Sequence, residues 1–263
     1  MTTLAKTGRG WFRRSKTSDD PPAEIGWIGL IITPAMAIVL IATMAFVWNT
    51  ATVDQTTRNI LEGSKLWTQL KAHLYMTLWS TFLVIAVAVP LGIFLTRPRF
   101  KRFSGPVLTF ASSGQEIPAY GLLILFFVWL GTGPWPSIWA FTVFAILPVL
   151  RNTIVGLEQV DPAIIEAGRG MGMSKRQVLT RIELPLSVPV ILAGIRTALV
   201  INVGMAALAT FIGGGGLGET INSGLKLRRD IATFMGAGIV ALLALTIDWI
   251  AALAERYLRP KGI

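Results

Sequence analysis

The sequence predicts an all-α integral membrane protein with six transmembrane helices and both termini in the cytoplasm. Three observations carry that prediction. Of 263 residues, 53% are hydrophobic and 14% charged, against about 25% charged in an ordinary soluble domain. Mean hydropathy is +0.62, more apolar surface than a globule of this size can hide from water. Lys and Arg gather at alternate ends of the apolar runs, as in chains that keep positive charge on the cytoplasmic side. The net charge of +10 therefore reads as membrane topology, not as nucleic-acid binding. Disorder is excluded by the same composition. The chain has no cysteine and one histidine, His73. That excludes a disulfide scaffold and a thiolate metal site, and argues against a histidine metal centre or a Ser-His-Asp triad.

A hydrocarbon core of about 30 Å needs roughly 20 apolar residues as helix. Residues 1–26 are polar, with Asp19-Asp20-Pro21-Pro22, and read as a cytoplasmic tail; no cleavable-signal pattern follows them. Span one is Trp27 to Trp48, bounded by tryptophans suited to the headgroup interface. With its external loop it forms a unit over 27–69. Span two runs from Leu70 to Leu95. Span three, Phe103 to Leu130, is irregular. Span four covers Pro136 to Leu150, span five Pro185 to Ile212, and span six Ile231 to Leu253. A core of 70–255 and a tail of 256–263 complete the division.

The charges set the orientation. Lys6, Arg9, Arg13, Arg14 and Lys16 precede span one. Arg97, Arg99, Lys101 and Arg102 follow span two. Arg151, Arg169, Lys175, Arg176 and Arg181 follow span four, and Arg256, Arg259 and Lys261 end the chain. The other side holds Arg58, Lys65, Lys71, Lys226, Arg228 and Arg229, and Arg196 alone lies within a span. The heavier side is cytoplasmic.

The loop 158–185 is long and polar where other loops are short. Asp161-Pro162 is a helix start, an Asp cap with proline at the first helical position. A short helix from Ala163 to Arg169 follows, ending at Gly170 or Gly172. Ser174 and Gln177 fit a capping box for a second helix, Lys175 to Glu183, which Pro185 stops.

Within this loop stand Glu166-Ala167-Gly168, then Gly172, Ile182 and Leu184-Pro185. The spacing resembles the EAA motif of permease subunits of bacterial ABC importers, E-A-A-x3-G-x9-I-x-L-P, with glycine at the third position. The resemblance extends over about Leu70 to Leu253. It is strongest to permeases for osmoprotectants such as glycine betaine, choline, carnitine and proline betaine. Its further runs are Gln115-Glu116-Ile117-Pro118, Leu147 to Thr153, Ala193 to Ala198, Val200 to Gly204, and Phe211 to Glu219. Glu116 stands where that branch more often has threonine.

The resemblance implies the type I ABC importer permease fold in a bacterial cytoplasmic (inner) membrane. It implies that the loop docks on an ATPase subunit through Glu166, Ala167, Gly168, Gly172, Ile182, Leu184 and Pro185. The implied partners are a second permease chain, identical or paralogous, two ABC ATPase subunits and an external substrate-binding protein. ATP-Mg belongs to the ATPases; no catalytic residue, metal or cofactor is expected on this chain. Glu166 could pair with a basic residue of the ATPase or brace the loop locally. A charged loop that only solvates the membrane surface is the plainer alternative.

Other signals divide between transport and packing. Gly213, Gly215 and Gly218 fit G-x-G-x-x-G, but a dinucleotide site needs a strand before and a helix after in a soluble unit. Here they read, with Glu219, as an external turn, re-entrant or facing the binding protein. Glu116 and Pro118 suggest locally broken helix, tolerated where it lines a wet path; Glu116 at the cytoplasmic interface is the other reading. Tyr120, Asn202 and Gly204 are the remaining pathway candidates. Trp79, Tyr120 and Trp129 could hold a quaternary ammonium by cation–π attraction or serve as packing. Arg196 and Asp248 read as structural, and His73 as interfacial. Rival functions are the same machinery with another cargo (an amino acid or a thione betaine), a membrane-embedded enzyme, and an ATP-independent transporter.

Overall fold

The computed structural model describes residues 27–258, all of whose regular structure is helical. The tail at 1–26, and Arg259 and Lys261, lie outside the described residues. The helices are α1 (Trp27–Thr50), α2 (Gln55–Ile60), α3 (Gly63–Leu95), α4 (Ser104–Glu116), α5 (Ala119–Leu130), α6 (Pro134–Glu158), α7 (Pro162–Gly170), α8 (Lys175–Val178), α9 (Leu184–Ala206), α10 (Gly218–Lys226) and α11 (Asp230–Leu258).

Five segments are long and apolar enough to cross a membrane: α1, α3, α6, the rod from Lys175 to Ile212, and α11. The sixth is the pair α4–α5, bent by 94°. The packing shows that this pair crosses once. The Thr142 hydroxyl lies 3.5 Å from the Ser80 carbonyl, and a Cβ on Gly92 would meet Thr153 Cγ2 at 2.6 Å. Residue numbers rise together along α3 and α6, so these neighbours are parallel and the chain between them must traverse the membrane. Contacts of α9 with α3 run the other way, Asn202 to Thr81 and Glu183 to Arg97. Six crossings return both ends of the described chain to one side, and the positive residues make that side cytoplasmic.

Small residues let the bundle close, as apolar surface alone gives no preference between helix and lipid. Gly156 of α6 abuts Ser187 and Val190 of α9, and Gly194 of α9 abuts Asn152 and the Pro148 carbonyl. Two cores fill the bundle. The outer one holds Met76, Leu123, Ile138, Phe141, Ala206 and Ile212. The inner one holds Val84, Leu95, Val149, Leu150, Ile154 and Ala198. Helix α1 lies at the edge, its Met44 against Gly238 of α11 and its Leu30 carbonyl accepting from the Trp249 indole at 3.1 Å. Its Ile31, Ile38, Val39 and Phe46 are exposed for lipid.

Three expectations need correction. Span four does not end at Leu150; α6 runs on to Glu158, because its hydrogen bonds continue where hydropathy falls at the headgroups. The second helix of the loop does not stop at Pro185 either. A π-turn over Leu179–Glu183 joins α8 to α9. The wider turn relieves the clash of the proline ring with the carbonyl four residues back. The third correction is His73, which is fully buried rather than interfacial. Its Nε2 meets the Val203 carbonyl at 2.9 Å, so the ring joins α3 to α9.

Candidate functional site

The loop 158–185 forms as its caps dictate. The Asp161 carboxylate accepts from the Ala163 amide at 2.8 Å, with Pro162 opening α7. Gly172 has φ +85°, the left-handed conformation that ends a helix, and the Met173 amide donates to the Gly168 carbonyl at 3.1 Å. Ser174 and Gln177 complete a capping box: the Gln177 amide donates to Ser174 Oγ at 3.3 Å and the Ser174 amide to Gln177 Oε1 at 2.8 Å.

The motif residues separate into two layers. Gly168 is buried, and a Cβ there would lie 2.6 Å from Ile182 Cδ1. Glycine in the third position thus lets α7 settle on Ile182, while Leu184 and Pro185 are half-buried behind it. Glu166 and Ala167 face outward. Among the described residues Glu166 has no side-chain hydrogen bond or ion pair, so a local brace is not present. Ile164 is exposed, and so is Met171. With Ala167 they occupy one face of the helix at offsets of three and four, which is helical spacing. Sequence reasoning passed over Ile164 and Met171, although their period was there to be read.

Both roots of the loop are tied to the short connection after α3. Glu183, in the π-turn, receives a hydrogen bond from Arg97 Nη2 at 2.5 Å. Glu158, at the end of α6, pairs with Lys101 Nζ at 3.0 Å.

The pathway candidates do not all share one surface. Glu116 closes α4, and Ile117 is extended at ψ 128°, which with Pro118 makes the sharp bend. Gln115 donates from Nε2 to the Phe144 carbonyl at 3.0 Å. That carbonyl lacks its usual donor because Pro148 has no N–H. Glu116, Pro118 and Tyr120 are exposed. The Tyr120 ring meets Phe211 edge-on at 5.4 Å. Gly204 is also exposed, with nothing near its missing Cβ, and lies on α9 seven residues before Phe211 of the following 3-10 turn. Asn202 is buried instead and donates from Nδ2 to Thr81 Oγ1 at 2.9 Å. The aromatic candidates differ too. Trp79 is ringed by Tyr75, Phe82 and Trp135, while Trp129 meets Phe126.

Arg196 and Asp248 pair with one another. The guanidinium donates from Nε and Nη2 to the two carboxylate oxygens at 2.6 and 2.7 Å, and Glu255 lies 3.8 Å from Nη1. This fork fastens α9 to α11.

On the external side the 3-10 turn Ala207–Ile212 ends at Gly213, whose φ is +75°. Gly215 follows at +81°. Gly218 is buried, and a Cβ there would overlap the Ala207 carbonyl. Glu219 is exposed and accepts from Gln69 Nε2 at 3.3 Å. It lines a cleft of about 360 Å³ with Lys65, Gln69 and Ser223. A short helix, α10, leaves this turn instead of a strand-flanked phosphate loop.

A family model, binding-protein-dependent transport system inner membrane component, matches residues 88–260. The chain is 41% identical over 201 residues to the glycine betaine/carnitine/choline transport system permease protein of Bacillus subtilis, covering 76% of this chain and 92% of that protein. It is 42% identical over 202 residues to a carnitine transport permease protein of Listeria monocytogenes, covering 76% and 91%. It is 40% identical over 191 residues to an osmoprotectant import permease protein of Salmonella typhimurium, covering 73% and 81%. Among solved structures, an inward-facing MetNI methionine ABC transporter aligns with TM-score 0.66 at 22% identity, over 74% of this chain and 97% of that one. An amino acid ABC transporter aligns with TM-score 0.60 at 20% identity, over 79% and 100%.

Proposed function

The chain belongs to the family of binding-protein-dependent transport system inner membrane components, and from that premise we propose that it is the permease subunit of an ATP-driven importer of osmoprotectants. Its cargo is a small zwitterion or quaternary amine of the glycine betaine, choline and carnitine class. The reading of cargo is supported by the relatives from Bacillus, Listeria and Salmonella. Two permease chains, identical or paralogous, stand over two ATPase subunits, which alone bind ATP-Mg. An external binding protein delivers the solute at the turn of Gly213, Gly215, Gly218 and Glu219. Glu116, Pro118, Tyr120 and Gly204 face the passage between the two permease chains.

One observation carries the coupling part of this reading. Helix α7 holds Gly168 against Ile182 on its inner side and offers Ile164, Ala167, Met171 and an unpaired Glu166 on its outer side. A short helix seated on the permease and apolar toward the cytoplasm is a docking element. The positive residues Arg169, Lys175, Arg176 and Arg181 rim it. Closure of the ATPases draws the two loops together and turns the spans outward.

The test is co-purification of the tagged, detergent-solubilised chain followed by mass spectrometry, with Glu166→Lys alongside. An ABC ATPase recovered with the native chain, and reduced about tenfold or more by Glu166→Lys, is the expected result. A folded native chain that recovers no ATPase overturns it. Competition of unlabelled choline, carnitine and amino acids against labelled glycine betaine uptake then separates osmoprotectant cargo from an amino acid.

A further inference from the structure

We propose that Arg97 and Glu183 form a strut that carries movement of the cytoplasmic loop into α3, with Lys101 and Glu158 as a weaker second tie. This rests on the reading of loop 158–185 as the ATPase-docking element.

The geometry begins with Arg97. Its guanidinium is fixed to the last turn of α3 before it reaches anything else. Nε donates to the Ile93 carbonyl at 3.2 Å, and Nη2 to Thr96 Oγ1 at 3.0 Å. The Thr96 hydroxyl in turn donates to the Ile93 carbonyl at 2.8 Å. A cation at a helix C-terminus also answers the negative end of the helix dipole. From that base Nη2 reaches Glu183 Oε2 at 2.5 Å. The carboxylate is only 7% exposed, so water replaces little of what Arg97 gives it. Charge-assisted bonds of this kind are short and strong.

The position of Glu183 gives the contact its consequence. It lies in the π-turn, directly between the short helices of the loop and the start of α9. Any displacement of α7 and α8 reaches α9 through that turn. The strut makes α3 share it. Lys101 and Glu158 repeat the arrangement at the other root, with side chains 63% and 40% exposed; an ion pair so open to water is weak. The connection that supplies both cations is itself stiff. Phe94 and Phe100 stack at 3.8 Å, and the amides of Phe100 and Lys101 both donate to the Arg97 carbonyl at 2.9 Å. One short, folded connection therefore grips both ends of the loop. A push at α7 moves α3, α6 and α9 as one body.

The experiment uses the complete importer in proteoliposomes, with labelled glycine betaine as probe. The variants are Arg97→Gln, Glu183→Gln, their double, the charge exchange Arg97→Glu with Glu183→Arg, and Lys101→Gln. Three quantities are read: ATPase recovered with the chain, ATP hydrolysis, and solute imported per ATP. Each Arg97 or Glu183 single variant is expected to keep its ATPase and hydrolyse ATP within twofold of native while importing at least tenfold less per ATP. The Gln double should be no worse than either single, because one shared interaction has been removed once. The exchange should recover part of the loss, and Lys101→Gln should stay within twofold. Import per ATP unchanged in the singles overturns the strut. So do losses that multiply in the double, or loss of the ATPase together with import, which marks a merely structural pair. A native chain that recovers no ATPase refutes the docking reading itself, and the strut's role falls with it.

Discussion

The cytoplasmic and external ends of the bundle differ in their balance of charged bridges and glycine contacts. At the cytoplasmic end, long side chains bridge the elements: Arg97 to Glu183, Lys101 to Glu158, and deeper in the membrane Arg196 to Asp248. At the external end, missing side chains let backbones touch. Gly214 sits against Ser137 and Ala209, Gly216 against the Ala206 carbonyl, and Gly218 against the Ala207 carbonyl. A bridge of long side chains keeps its bond while the elements it joins shift by a fraction of an ångström. A backbone contact at van der Waals distance has no such slack. On the proposed reading, the end that receives the push is held by bridges, while the external turn is held by contact.

The sharpest way to break this contrast is to add a side chain at the external end. Gly218→Val places a branched side chain where the Ala207 carbonyl already lies. Loss of the monodisperse species on size-exclusion chromatography is expected. Gly204→Ala is the control, because nothing stands within 4 Å of its Cβ position, and its elution and thermal stability should match the native chain. A Gly218→Val chain that folds normally would show that the external turn has slack after all.

The second test removes a bridge. Arg196 and Asp248 are each 24% exposed, and stripping one partner from such a half-buried pair costs less than the roughly 3–5 kcal/mol of a fully buried one. Asp248→Leu should lower the thermal midpoint by several degrees in detergent. Replacing both, Arg196→Met with Asp248→Leu, should be milder than the single change, since neither charge of the fork remains without its counter-charge. A double variant less stable than the single would mean that Glu255, 3.8 Å away, carries more of the network than the fork does.

What the sequence disclosed follows from the range of each effect. Hydropathy located every span, because crossing lipid is a property of a continuous run. The caps at Asp161 and Ser174 were legible because their partners are two and three residues away. The bend after Glu116 was legible in Gly-Gln-Glu-Ile-Pro for the same reason. The strut was not: Arg97 and Glu183 are 86 positions apart, and each looks like an ordinary interface charge. His73 looked interfacial because a lone histidine near the start of an apolar run normally is. Its burial depends on the Val203 carbonyl, 130 positions on. That Asn202 is buried while Gly204, the other pathway candidate on α9, is exposed is a matter of phase. Two residues apart on a helix point to different sides, and only the position of α3 decides which is covered.

The smallest effect is expected at a bridge on the external side, where the rule of bridges and contacts has its exception. Asp54 caps α2, accepting from the Thr57 amide at 3.0 Å, and pairs with Arg229 at 3.0 Å. Hydrogen bonds from the Thr57 side chain and backbone, with the charge of Arg229, hold its carboxyl below the usual aspartate range. A carboxyl whose pKa is lowered by folding stabilises the fold above its unfolded value, near 4, and loses that contribution as pH falls through the folded value. Both side chains are more than 40% exposed, so water and salt screen the pair. Asp54→Asn should leave the thermal midpoint unchanged at pH 7, and any difference from the native chain should vanish further below pH 4. A marked loss at pH 7, absent in high salt, would show that this bridge holds α2 to α11 against movement. The external end would then rest on charge as well as on glycine.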